Sequence, residues 1–212
     1  MIKNLNALIN LLNENYPTEK LDYEDIQDIA EKFECTYGSG CTRFALVYSN
    51  ENYVFKMPRF ARTTKDFCKL EVENLETSKR FGIAEILLPE RLVGKTSSGL
   101  PIYQQIKYDY DTATFCFEEK YHNERMFFEN IYEEHEKIIW ALKQKLYDSF
   151  VSTTWLAAVY HFYGEEFLER LVEWTKFSKV NDLHNHNTGF LNGKPVILDY
   201  AGYEEKYDVS DY

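Results

Sequence analysis

The chain has 212 residues, 44% hydrophobic and 17% aromatic, with 24 Lys and Arg against 35 Asp and Glu, for a net charge of −11. That size and apolar content suffice for a buried core without disulfides or structural metal, in one domain or one with two lobes, and exclude a disordered chain. The acidic excess argues against nucleic acid, whose binders carry basic surfaces, and against an anionic membrane.

Leu5, Leu8, Ile9 and Leu12 recur at helical spacing and predict an opening amphipathic helix, broken at Pro17 and Thr18. A second helix is expected from Tyr23 to Phe33, with Ile26, Ile29, Ala30 and Phe33 on one face. The period then changes. Cys35 to Tyr37 reads as a strand entering a turn at Gly38-Ser39-Gly40, followed by strands at Phe44 to Tyr48 and Tyr53 to Met57, the last stopped by Pro58. A helix is expected from Lys65 to Phe81, ended by Gly82, and two more strands at Leu87 to Val93 and Pro101 to Ile106. From Phe115 to Phe177 the pattern is helical, with a break or kink at Gly164. The chain returns to β structure at Gly189-Phe190-Leu191, an Asn192-Gly193 turn suited to a two-residue hairpin, and Val196 to Asp199. Three segments result: an N-terminal helical extension over 1–34, a five-stranded antiparallel lobe with one helix over 35–107, and a mostly helical lobe over 108–212, with the joint near Gln105 to Asp109.

Cys35, Cys41, Cys68 and Cys116 include no CxxC pair, which argues against zinc and for free thiols. Polar residues interrupt the first apolar ones, so no signal peptide is expected, and no run is long enough to span a membrane. A reducing cytoplasm is the expected setting.

The richest segment is Asn181-Asp182-Leu183-His184-Asn185-His186-Asn187-Thr188-Gly189, followed by Pro195-Val196-Ile197-Leu198-Asp199. It places an aspartate, an asparagine and a second aspartate, all short oxygen donors, beside tight turns. That pattern suits holding Mg²⁺ and setting a hydroxyl against a nucleotide phosphate. Singly, each also fits a turn cap or a strand end. His184 and His186 form an H-x-H pair that could take a transition metal, though no third ligand stands nearby in sequence.

Taken in order from Tyr37 to Gly202, these elements resemble the protein-kinase-like fold, including its aminoglycoside- and choline-kinase relatives. The resemblance implies an α+β protein with a five-stranded antiparallel N-lobe and a truncated, mostly helical C-lobe. Asp182 to Asn187 matches the D-x-x-x-x-N loop, which makes Asp182 the base that orients the acceptor hydroxyl and Asn187 a metal ligand. Asp199, in Asp199-Tyr200-Ala201-Gly202, corresponds to the metal-binding aspartate, with the following glycine displaced by one. Gly38-Ser39-Gly40-Cys41-Thr42-Arg43 corresponds to the glycine loop, with arginine in place of the third glycine; small residues there let backbone N–H groups approach phosphates. Lys56 corresponds to the strand lysine that grips phosphates and pairs with a helix glutamate, for which Glu71 is preferred over Glu73. Gln104, Gln105, Ile106 and Lys107 would form the hinge that meets adenine.

The chain also departs from the family. Val180 replaces the usual His or Tyr, and His184 the lysine of Ser/Thr kinases, which points to the small-molecule branch or an atypical protein kinase. Only ten residues follow Gly202, so an activation segment and peptide-binding helices are not expected. The compact pattern is similar to small kinase-like proteins of bacteria and their phages. The implied activity is an ATP- and Mg²⁺-dependent phosphotransferase acting on an unassigned protein or small-molecule acceptor. A nucleotide-binding pseudokinase or protein-binding regulator is the alternative, and a nucleotidyl transferase the third.

Overall fold

In the computed structural model, residues 3–40, 42–49, 51–59, 66–107, 122–147, 151–184 and 186–202 are described. They form an α+β protein with a five-stranded antiparallel sheet and seven α-helices. The chain divides into two compact units, Met1–Glu73 with Pro89–Tyr108, and Asn74–Leu88 with Asp109–Tyr212.

The first unit opens with α1 (Lys3–Asn15), whose Leu5, Leu8 and Leu12 are buried at the spacing the sequence predicts. In α2 (Tyr23–Lys32), Asp22 accepts the Asp25 N–H while the Asp25 carboxylate accepts the Asp22 N–H, each at 2.9 Å. This reciprocal cap satisfies donors that the first helical turn leaves unpaired. The sheet follows: β1 (Thr36–Ser39), β2 (Arg43–Val47), β3 (Tyr53–Pro58), β4 (Glu90–Lys95) and β5 (Pro101–Ile106), in the spatial order β1-β2-β3-β5-β4. Register sets the chemistry of its two faces. Phe44 lies opposite Met57 and Leu46 opposite Phe55, and these four join Leu8, Leu12, Ile26 and Ile29 in one core. Each fully buried side chain of this size contributes roughly 1.5–3 kcal/mol. The alternate positions Arg43, Ala45 and Lys56 therefore point to the other face.

Helix α3 (Phe67–Phe81) starts beside Asp66, which accepts the Lys69 N–H at 3.0 Å, and stops at Gly82 with φ +67°. Its residues 67–73 belong to the first unit and 74–81 to the second.

The second unit adds a 3₁₀ turn (Ala84–Ile86), α4 (His122–Glu134), α5 (Glu136–Lys143), α6 (Thr153–Tyr163), α7 (Glu165–Phe177), β6 (Thr188–Leu191) and β7 (Lys194–Ile197). Gly164, at φ +84°, separates α6 from α7 as a full break. Trp155, Leu156, Val159, Leu168, Leu171 and Trp174 sit in its core. Asn192 and Gly193 both take positive φ, 52° and 77°, which a two-residue turn between twisted strands requires.

Three strands differ from the sequence reading. β1 runs on through Gly38 and Ser39, which pair with Ala45 and Phe44, so these two are strand residues rather than a turn. β7 spans Lys194–Ile197 and stops before Asp199. The strand expected at Leu87 to Val93 instead begins at Glu90. Leu87 and Leu88 are buried in the second unit, where Leu87 bridges Ile197 and the Leu88 N–H reaches the Ile197 carbonyl at 3.0 Å. Pro89, without an N–H, falls between the two pairings. The expected start of α3 at Lys65, the start of the helical block at Phe115, and Tyr108 and Asp109 of the joint lie outside the described residues. No described helix is long and apolar enough to cross a membrane.

Candidate functional site

In the first unit the functional side chains gather on the sheet face opposite the aromatic core. Lys56 Nζ lies 2.9 Å from Glu71 Oε2 and 2.9 Å from Glu90 Oε2. Arg43 Nη1 lies 3.3 Å from Glu71 Oε2. Both carboxylates are buried, at 0% exposure for Glu71 and 2% for Glu90, and Lys56 is 8% exposed. Four elements build this cluster: β2 holds Arg43, β3 Lys56, α3 Glu71 and β4 Glu90. Cys68, Glu71 and Leu75, spaced three and four apart, lie with Phe67 on one buried face of α3. Glu73 lies off that face, exposed and 3.5 Å from Lys69, so Glu71 is the lysine's partner.

Two buried cations alternate with two buried carboxylates. Such a set is stable only as a set, since removing one partner strands a charge in low dielectric. Burial pushes the Cys68 thiol well above its usual range, and the Glu90 carboxylate beside it adds to the effect. Tyr103, opposite Lys56 in register, donates its hydroxyl to Asp66 at 2.6 Å. Burial first, and that hydrogen bond second, hold its proton far more tightly than usual.

The glycine segment ends β1, with Gly38 and Ser39 still paired to β2 and Gly38, Ser39 and Gly40 all exposed. The Gly40 N–H closes the turn on the Arg43 carbonyl at 3.0 Å. Arg59 braces it from outside, donating to the Gly40 carbonyl at 2.9 Å. Neither Gly38 nor Gly40 takes a positive φ, and an added Cβ would come no closer than 3.7 Å to a neighbour. Local packing therefore does not demand glycine at either position. Cys41 lies outside the described residues.

Of the expected hinge residues, Gln104 and Gln105 are buried and Ile106 is exposed. Gln105 sits between Val54 and Glu90 in register, and the Lys107 N–H donates to the Asn52 carbonyl at 2.8 Å.

In the second unit, Val180 and Leu183 are fully buried, and between and after them Asp182 and His184 stay half-exposed. The alternation turns the polar side chains outward from a segment anchored in the core. The Asn187 N–H closes a turn on the His184 carbonyl at 2.9 Å, and Asn187 Nδ2 donates to the Asp182 carbonyl at 2.7 Å. The His186 N–H lies 3.1 Å from His184 Nδ1, and His184 Nε2 lies 3.3 Å from both Asp182 Oδ1 and Asn187 Nδ2. Both ring nitrogens of His184 are thus engaged. Among the described residues no group of three or more His, Cys, Asp or Glu converges on a metal position, so the H-x-H pair gains no further ligand.

Asp199 follows β7, and its neighbour Tyr200 fixes it. The Tyr200 hydroxyl donates to the Leu88 carbonyl, and the Tyr200 carbonyl accepts from Asn74 Nδ2, each at 2.7 Å. The Leu198 N–H donates to the Asn187 carbonyl at 2.8 Å, tying the strand end to the loop. Gly202, at φ +79°, lies against Lys179 and Val180; a Cβ there would collide with the Lys179 carbonyl oxygen. Packing on the start of the loop thus explains the glycine at its displaced position. Trp155 Nε1 holds the Gly189 carbonyl at 3.1 Å on the loop's far side.

The donor set suits a hard cation. Asn187 commits its amide nitrogen to the Asp182 carbonyl, so its Oδ1 is the atom left to act as a ligand, and Asp199 supplies a carboxylate. Mg²⁺ is ordinarily held by one or two such groups with substrate phosphates completing its shell, rather than by an all-protein cage. Asn187 and Asp199 would be its ligands here.

Sequence reasoning missed Glu90 and Cys68. Glu90 carried one signal, a carboxylate directly after proline within the apolar run from Ile86 to Val93. No family model, curated protein or solved structure matches the chain.

Proposed function

We propose that the protein is a kinase-like phosphotransferase that takes the γ-phosphate of ATP, with Mg²⁺, to a hydroxyl acceptor of unassigned class. The observation that carries the reading is the buried Lys56–Glu71 pair, which joins a strand lysine to a helix glutamate in a sheet that also bears the glycine segment. In this reading Lys56 engages phosphate oxygens, and the small residues Gly38, Ser39 and Gly40 let backbone approach them. That Gly38 and Gly40 have no steric or φ requirement for glycine supports a role in close approach. Gln105, Ile106 and Lys107 meet the base.

In the second unit Asp182 takes the acceptor's proton, with His184 Nε2 3.3 Å from its Oδ1. The acceptor oxygen forms its bond to the γ-phosphorus as the β–γ bridging bond breaks and ADP leaves. Mg²⁺, when bound, neutralises charge on the phosphates. Asn187 and Asp199 would hold it, and the hydroxyl and carbonyl contacts of Tyr200 keep the neighbouring Asp199 in place.

The test is Asp182→Ala. Loss of phosphoryl transfer by on the order of 10²–10⁴-fold is expected, with Mg²⁺-ATP binding by thermal shift retained. Transfer is read by mass spectrometry of candidate sugars, aminoglycosides and proteins. An unchanged rate in the variant would sink the assignment. A second reading, a regulator that binds nucleotide without transfer, is favoured by Glu90 engaging the same lysine as Glu71. Binding without transfer to any acceptor is its signature, and an adenylyl adduct would instead mark nucleotidyl transfer.

A further inference from the structure

The four-charge cluster is a chain with unequal ends. Arg43 and Lys56 both reach Glu71 Oε2, at 3.3 Å and 2.9 Å, whereas the cation on Glu90 is Lys56, at 2.9 Å. Beyond that ion pair to Oε2, neither Glu90 oxygen has a hydrogen-bond partner among the described residues, and the residue is 2% exposed. The groups around it are Lys56 from β3, Cys68 from α3 and Tyr103 from β5, and Glu71 of α3 and Arg43 of β2 act on the same Cys68. If Lys56 turns toward a phosphate, Glu71 keeps the guanidinium of Arg43. Glu90 keeps nothing comparable, and a buried carboxylate without a cation is strongly disfavoured. The cost of freeing Lys56 therefore falls on Glu90.

We propose that Glu90 is a positioning residue that competes with phosphate for Lys56 and so sets the affinity of this unit for the polyphosphate of a nucleotide. The proposal rests on the phosphotransferase reading only in taking Lys56 as the phosphate contact. It assigns Glu90 a role opposite to that of Glu71. Glu71 orients the lysine while Arg43 shares its charge, and Glu90 holds the lysine back. Neutralising Glu90 removes the competitor without removing the orienting group.

The experiment is calorimetric titration of Mg²⁺-ATP into wild type, Glu90→Gln, Lys56→Met and the double variant. Glu90→Gln is expected to bind about tenfold more tightly, a gain of function that damaged packing does not produce. The double variant is expected to lose that gain. Glu90→Asp, which withdraws the carboxylate by one methylene, serves if the glutamine variant does not fold, and is expected to tighten binding by a smaller factor. Equal or weaker binding by Glu90→Gln, when wild type binds and Lys56→Met does not, overturns the role of Glu90 and leaves the phosphotransferase reading standing. Binding by no variant, or binding indifferent to Lys56, overturns both.

Discussion

A buried polar group is decided by its partners, and Tyr48 and Lys56 show the two outcomes. Lys56 meets two carboxylates. Tyr48 packs its ring between Phe33 and Phe55, with centroids 6.0 and 5.9 Å away, and its hydroxyl has no hydrogen-bond partner among the described residues. A buried unsatisfied hydroxyl costs about 1–3 kcal/mol, so Tyr48→Phe should be neutral or stabilising by about 1 kcal/mol at neutral pH. Burial raises the Tyr48 pKa above its ordinary value. The folded state thus prefers the neutral phenol. That preference contributes in full below the ordinary pKa near 10 and is lost as pH climbs from there through the folded value. Wild type should therefore lose more stability than Tyr48→Phe on moving from neutral pH to about pH 11. Denaturant melts of both proteins at the two pH values check this, and a variant less stable at neutral pH contradicts it. Tyr53, pushed up to about 12 chiefly by burial, loses stability in the same direction in both proteins.

Local rules explain the elements whose partners are close in sequence. The Asn192-Gly193 hairpin, the Gly82 stop and the Gly164 break each follow from a residue that accepts positive φ. The start of α2 follows from Asp22 and Asp25, whose side chains close on each other's backbone N–H. Asp22→Ala should lower stability by roughly 1 kcal/mol, and Asp22→Ser should restore most of it, because serine supplies the same acceptor. Urea denaturation reads the difference; equal midpoints for alanine and wild type would remove the cap from the account. β4 shows where local rules stop. Leu87–Leu88 and Leu92–Val93 stand only three residues apart in sequence, yet Leu87–Leu88 and Glu90–Lys95 pair with different strands in different units. Apolar content alone carries no information about which partner a residue buries against.

At the scale of the whole chain, charge rather than contact decides one behaviour. Exposed pairs such as Lys69–Glu73 and Arg125–Glu129 contribute little each, with medians near 0–1 kcal/mol. A net charge of −11 acts on every residue of the folded state by self-repulsion, which salt screens. Repulsion therefore outweighs the surface pairs, and Tm should rise by roughly 1–3 °C between low salt and physiological ionic strength. A falling Tm over that range, measured by calorimetry, would reverse the order of the two effects. The charge cluster is screened much less, because both of its carboxylates are buried.

The sequence by itself determined the helical faces of α1 and α2, the positions of β2, β3 and β5, and the tight hairpin, and it nominated Lys56, Glu71, Asp182, Asn187 and Asp199. These rest on periodicity, turn chemistry and short spacings, all of them properties of neighbouring residues. Only the tertiary structure decided that Glu71 and not Glu73 meets Lys56, that Arg43 shares that carboxylate, that Glu90 closes on the same lysine from β4, and that Gly202 packs on Lys179. The physical reason is register. Strand pairing and helix rotation bring these groups together across intervening loops: a one-residue slip would turn a strand's side chains to the opposite face and rotate the helix's by about 100°.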